Sequence, residues 1–94
     1  MSQTTKRIQA TVSGRVQGVS FRAATAEQAN ALRLSGWVKN LTSGAVELEA
    51  QGSVENINQL LTWLHQGPPA ANVTDITSQE LPLQTEETRF RITY

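Results

Sequence analysis

What most limits the fold of this chain is the segment Val12-Ser13-Gly14-Arg15-Val16-Gln17-Gly18-Val19-Ser20-Phe21-Arg22, in which an apolar strand ends, a short loop bounded by glycine follows, and a helix begins. Gly14 and Gly18 can take backbone angles closed to other residues, so the loop can turn its N–H groups inward around a phosphate-sized anion. The helix that follows contributes unpartnered N–H groups and the positive end of its dipole. Arg22 falls in the first helical turn, where a planar fork of donors can meet the same anion. A cation at that position opposes the dipole unless an anion is bound, which favours a binding role over that of a solvated arginine. The loop is not a Walker motif, because Val19-Ser20 follow Gly18 where a lysine and a hydroxyl residue are needed, and it lacks the third glycine of a dinucleotide fingerprint. On this segment alone, an ordinary strand-to-helix turn is as good a reading as an anion site.

A second segment changes the balance. Gly36-Trp37-Val38-Lys39-Asn40 reads as a strand, Leu41-Thr42-Ser43-Gly44 as a hairpin turn, and Ala45 to Gly52 as the returning strand. Val46, Leu48 and Ala50 alternate with Glu47, Glu49 and Gln51, which predicts one buried and one wet face. The two segments together resemble the two signature motifs of the acylphosphatase family, small enzymes that hydrolyse the carboxyl–phosphate bond of acyl phosphates. The first pattern, G-x-V-Q-G-x-x-F-R after an apolar residue, matches from Val12 to Arg22. The second, an aromatic after glycine, then x-K-N, three free positions, G-x-V and a closing glycine, matches from Gly36 to Gly52. The likeness extends to Trp63-Leu64 late in a second helix and to the terminal Phe90-Arg91-Ile92-Thr93-Tyr94. It departs at Ala23-Ala24, where many relatives carry a tyrosine after the motif arginine, and at Leu41, where some carry threonine.

The resemblance assigns phosphate binding to the backbone N–H groups of Arg15, Val16, Gln17, Gly18 and Val19 and to the Arg22 guanidinium, and it assigns positioning of the attacking water to the Asn40 amide. Such a set fits the chemistry. The leaving carboxylate is the conjugate base of an acid with a pKa of roughly 4, so its departure needs no general acid. The protein must instead hold the phosphoryl group, stabilise charge on its equatorial oxygens and place a water in line. Without the motif, Asn40 reads as a turn former at a strand end. Lys39 is expected on the opposite face of its strand from Asn40, as a solvated or edge charge and not a ligand. Arg15 is expected to offer its backbone, and Gln17 to brace the loop with its side chain. No metal or other cofactor is implied.

Composition is compatible with this and narrows the rivals. Eight basic and eight acidic residues give a formal charge of zero, so no basic field advertises nucleic acid or an anionic membrane. Zero cysteines exclude disulfides and thiolate metal sites, and the single His65 is expected to be a surface residue favoured by a helix C-terminus. No segment is long and apolar enough to span a bilayer, and Met1 to Arg7 lacks the apolar core of a secretory signal. The expectation is a cytoplasmic monomer acting on a small acyl phosphate, with inorganic phosphate or sulfate as product or analogue.

The predicted order begins with a loose tail over residues 1–6 and a single domain over 7–94. A strand from Arg7 to Ser13, with Ile8, Ala10 and Val12 on one face, leads through the loop into a helix from Phe21 to Leu34 that Ser35-Gly36 ends. After the hairpin, Ser53 caps a second helix with Val54, Ile57, Leu60, Leu61 and Leu64 on one stripe, and Gly67-Pro68-Pro69 stops it. Strands over Val73 to Leu81 and Thr88 to Tyr94 complete βαββαβ with an extra short strand, which is a ferredoxin-like α/β sandwich with two helices on one face of a mainly antiparallel sheet. That fold also hosts RNA-binding and regulatory modules. Aromatic residues at 5% and glutamates on the hairpin speak against an RNA platform. A non-catalytic anion-binding module is the stronger rival, and Asn40 discriminates, because a binder has no water to orient.

Overall fold

The computed structural model describes residues 4–85 and 89–93. Its elements are β1 (Thr5–Arg15), α1 (Phe21–Ala31), β2 (Ser35–Asn40), β3 (Val46–Ser53), α2 (Val54–Gln66), β4 (Asn72–Leu81) and β5 (Phe90–Ile92). The strands form one sheet in the order β4-β1-β3-β2-β5. Every neighbouring pair is antiparallel except β2 with β5. The alternation read from the sequence sets the faces: Ile8, Ala10 and Val12 on β1, Val38 on β2 and Val46, Leu48 and Ala50 on β3 are buried beneath the helices. From above, α1 adds Phe21, Thr25 and Ala29 to this core, and α2 adds Ile57, Leu60 and Leu64.

The second helix follows its signals. Ser53 Oγ accepts from the Asn56 N–H at 3.2 Å, and the chain leaves the helix at Gly67 with φ 66°. The first helix ends earlier than its expected limit at Leu34. Arg33 takes the left-handed conformation (φ 58°), its N–H reaches Asn30 O at 3.0 Å, and the Leu34 N–H reaches Ala29 O at 2.9 Å. This is a Schellman ending with arginine where glycine is usual, and it sends Leu34 into the core.

Three other expectations change. The first strand begins at Thr5, opposite Ser53, so Thr5 and Lys6 belong to the sheet and not to a loose tail. The returning hairpin strand begins at Val46, with Ala45 in the turn. The helix-free face of the sheet is not simply wet: Arg7 is 1% exposed there. Its Nε and Nη2 donate to Glu49 Oε1 at 3.0 and 2.8 Å, and Nη1 donates to Gln51 Oε1 at 3.4 Å. Gln51 in turn exchanges a pair of bonds with the Gln84 backbone, so the chain after β4 crosses back over Arg7 and closes that part of the face. The last strand covers only Phe90–Ile92; Thr88 and Tyr94 of the expected strand lie outside the described residues.

One buried polar atom is unexplained by packing. Thr25 is fully buried on α1, and its hydroxyl has no hydrogen-bond partner among the described residues. Thr25→Val keeps the β-branched shape and removes a stranded donor, so chemical denaturation should show stability raised by about 1 kcal/mol.

Candidate active site

The site forms where β1 hands over to α1. Arg15 is the last residue of β1 and still pairs with Asn72 of β4, so the connecting loop is Val16 to Ser20. Gly14 therefore serves the sheet. The β1–β4 register shifts between Ser13 and Gly14, and a Cβ on Gly14 would collide with the Asn72 carbonyl oxygen and lie 2.8 Å from the Thr74 nitrogen. Gly18 serves the loop by conformation, with φ 75° and open space where a Cβ would stand. Ser20 also takes the left-handed conformation, at φ 62° and ψ 27°, immediately before the helix. Among the described residues, the backbone N–H groups of Val16 to Ser20 find no acceptor. The N-terminus of α1 adjoins this concave set of donors, with the positive end of its dipole turned toward it.

Gln17 fixes this loop to the hairpin. Its Nε2 donates to Leu41 O at 2.8 Å and to Ala45 O at 2.9 Å, the two carbonyls that bracket the β2–β3 turn. Ala45 O also accepts the Leu41 N–H at 2.8 Å, so a single turn carries both strand closure and the loop brace. The expected bracing role is what its side chain performs. Gln17→Leu removes both bonds at similar volume, and we expect a loss of about 1–2 kcal/mol in unfolding free energy together with about tenfold weaker binding of inorganic phosphate by calorimetry.

The brace brings Asn40 to the loop. Asn40 ends β2 on the helix side of the sheet, in step with buried Val38 and Gly36, while Trp37 and Lys39 point to the other side. Lys39 Nζ lies over the Trp37 ring, 5.4 Å from its centroid, on the expected face opposite Asn40, but β2 lies between β3 and β5 and so the charge does not sit on an edge strand. Gly36 allows the sheet to close here, because a Cβ at φ 139° would strike the Glu49 carbonyl oxygen.

A concavity of about 400 Å³ collects these parts. The loop supplies Val16, Gln17 and Gly18; the start of the helix supplies Ser20, Phe21, Arg22 and Ala23; the sheet supplies Asn40 and Ile92. Arg22 is half-buried in the first turn of α1, and Asn40 is exposed at the mouth. Of the residues assigned from the sequence, Arg22, Asn40, Val16, Gln17 and Gly18 share this cleft, whereas Arg15 and Val19 flank it without lining it. Ser20, Phe21, Ala23 and Ile92 are additions. Ser20 had a local signal, as the residue before the helix. Ile92 had none, because it arrives through the parallel pairing of β5 with β2.

The arrangement can hold a tetrahedral anion by backbone dipoles and one guanidinium, with an amide at its edge. Among the described residues no three of His, Cys, Asp and Glu gather as metal ligands, and His65 is exposed in the last turn of α2, outside the cleft lining. No helix among the described residues is long and apolar enough to cross a membrane.

Comparison with known proteins gives this cleft a context. The family model described as Acylphosphatase matches residues 8–92. A Methylococcus capsulatus protein named acylphosphatase is 46% identical over 87 residues, covering 93% of this chain and 95% of its own. The structure of an acylphosphatase from Coxiella burnetii superposes with a TM-score of 0.90 at 43% identity, covering 95% of this chain and 93% of that one. An acylphosphatase from Bacillus subtilis gives a TM-score of 0.91 at 36% identity, covering 95% and 99%. Since the likeness runs through both halves of the cleft and almost the full length of each relative, the chain belongs to the acylphosphatase family.

Proposed function

We propose that the chain hydrolyses the carboxyl–phosphate bond of acyl phosphates by direct attack of water on phosphorus, with the phosphoryl group held by the backbone of residues 15–19 and by Arg22, and with the water oriented by Asn40. The observation that carries this reading is the convergence of Arg22, from the first turn of α1, and Asn40, from the end of β2, on one cleft floored by unpartnered N–H groups. Donors fixed by the fold need no reorganisation when charge builds on the equatorial oxygens. As the water oxygen bonds to phosphorus, the bond from phosphorus to the carboxylate oxygen breaks and its electron pair leaves with the carboxylate. The water's proton passes to an oxygen of the bound phosphoryl group, since the leaving group requires none. No protein base takes part.

The test is hydrolysis of benzoyl phosphate, followed by release of inorganic phosphate. Turnover should persist in excess chelator, and kcat should show no side-chain titration between about pH 5 and 7, the window in which a catalytic histidine or raised carboxyl would declare itself. A steep ionisation in that range, or loss of activity to chelator, would overturn the mechanism. The same reading has the protein working in the cytoplasm as a monomer, which sedimentation at 10.3 kDa would verify.

A further inference from the structure

The first turn of α1 carries Arg22, yet little in its own sequence holds it in place. Ser20 stands at the cap position in the left-handed conformation, and its side chain makes no cap hydrogen bond among the described residues, in contrast to Ser53 before α2. The turn reads Phe21-Arg22-Ala23-Ala24, with no acidic residue to favour the dipole and with an arginine that opposes it. A helix start of this kind is fixed by packing or it frays.

The packing comes from the end of α2. Phe21, the first residue of α1, is 1% exposed and still belongs to the cleft lining. Its ring meets the Trp63 indole with centroids 6.0 Å apart and planes at 44°, within the range in which tilted aromatic pairs attract. Gly67 adds a second contact. A Cβ there would stand 2.8 Å from Phe21 Cε2 and 3.4 Å from Cδ2, so the backbone leaving α2 lies against the edge of the ring. Trp63 and Gly67 are tied to each other, because the Gly67 N–H donates to Trp63 O at 2.8 Å. The last turn of α2 is therefore one seat for Phe21. Arg22 follows by a single peptide unit, about 3.8 Å between Cα atoms, so a shift of the seated ring is passed to the root of the guanidinium.

We infer that Trp63 is a positioning residue for the anion site: it acts through Phe21 to hold the first turn of α1 where the Arg22 guanidinium meets the phosphoryl group. Trp63 is not part of the cleft lining, so its effect on the anion is indirect. The inference rests on the role proposed above for Arg22, and phosphate affinity reads the seat independently of turnover. Compare wild type with Trp63→Leu, Trp63→Phe and Ile57→Ala, measuring kcat and KM for benzoyl phosphate, the affinity for inorganic phosphate by calorimetry, and the melting temperature. Leucine fills part of the space without a ring, and phenylalanine restores one. Ile57 is buried toward the other end of α2, about 9 Å along the axis, so Ile57→Ala loosens the same helix away from the seat.

Trp63→Leu should weaken phosphate binding about fivefold and lower kcat/KM about tenfold, while Trp63→Phe stays within about twofold of wild type in both. Ile57→Ala should lower the melting temperature with neither loss, which separates positioning from general stability. In an Arg22→Ala background, Trp63→Leu should cost less than about twofold further in kcat/KM, because the group it positions is gone. Wild-type affinity in Trp63→Leu, matching losses in Ile57→Ala, no recovery with phenylalanine, or an undiminished effect without Arg22 would each overturn the inference. Wild-type protein that binds phosphate but leaves benzoyl phosphate intact would remove the hydrolytic reading, and the pattern of phosphate affinities would then decide on the seat alone.

Discussion

Replacing Arg22 with alanine is expected to lower kcat/KM for an acyl phosphate by about 10³-fold or more and to abolish competition by inorganic phosphate. Two kinds of donor meet the anion, and they differ in what they do. The N–H groups from Val16 to Ser20 are held in place by Gly18, by the left-handed Ser20 and by the Gln17 brace, so they offer fixed dipoles without a formal charge. Arg22 brings the full positive charge, and its guanidinium can span two phosphoryl oxygens as they take up charge in the transition state. Lysine at this position keeps the charge and loses the fork, so Arg22→Lys should recover phosphate binding in part while remaining about 10²-fold below wild type in kcat. Steady-state kinetics on both variants, with thermal melts to show that they are folded, checks this. Activity of Arg22→Ala equal to wild type would sink the site.

Features written in consecutive residues were legible in the sequence. The helix-side faces of β1 and β3, the Ser53 cap, the stripe of α2 and its stop at Gly67 all depend on neighbours within a turn or a strand, and the structure has them where periodicity put them. What failed to show depends on partners far along the chain. Arg33 has no sequence mark of a left-handed residue; its conformation follows from Leu34 being drawn into the core while the strand after it is held by β3. Arg7 sits on the polar side of an alternating strand and reads as exposed, yet Glu49 and the returning Gln84 segment enclose it. Gly14 reads as part of the anion loop because it borders it, whereas its tight neighbour is the backbone of β4. The donor half of the cleft was readable because its loop and helix start are contiguous. Ile92 was not, since only the parallel β2–β5 register carries it there.

Asn40→Ala should separate binding from turnover: kcat is expected to fall about 10²- to 10³-fold, while the affinity for inorganic phosphate stays within about twofold of wild type. Asn40 is exposed at the end of β2, its side chain makes no hairpin-closing hydrogen bond among the described residues, and it lies beside the carbonyls that Gln17 grips. Its removal leaves the loop, the brace and Arg22 in place, so the anion should still bind. What is lost is an amide able to accept from and donate to one water, which otherwise must find the in-line direction by chance. Asn40→Asp distinguishes orientation from mere polarity. A carboxylate has nearly the same shape and accepts from water, but it sets a negative charge beside a bound anion, so phosphate affinity should now fall together with kcat. If Asn40→Ala lost phosphate binding and turnover in equal measure, the residue would belong to the anion site and not to the water. If it lost neither, the cleft would need no oriented water, and the case for catalysis over plain anion binding would rest on turnover alone.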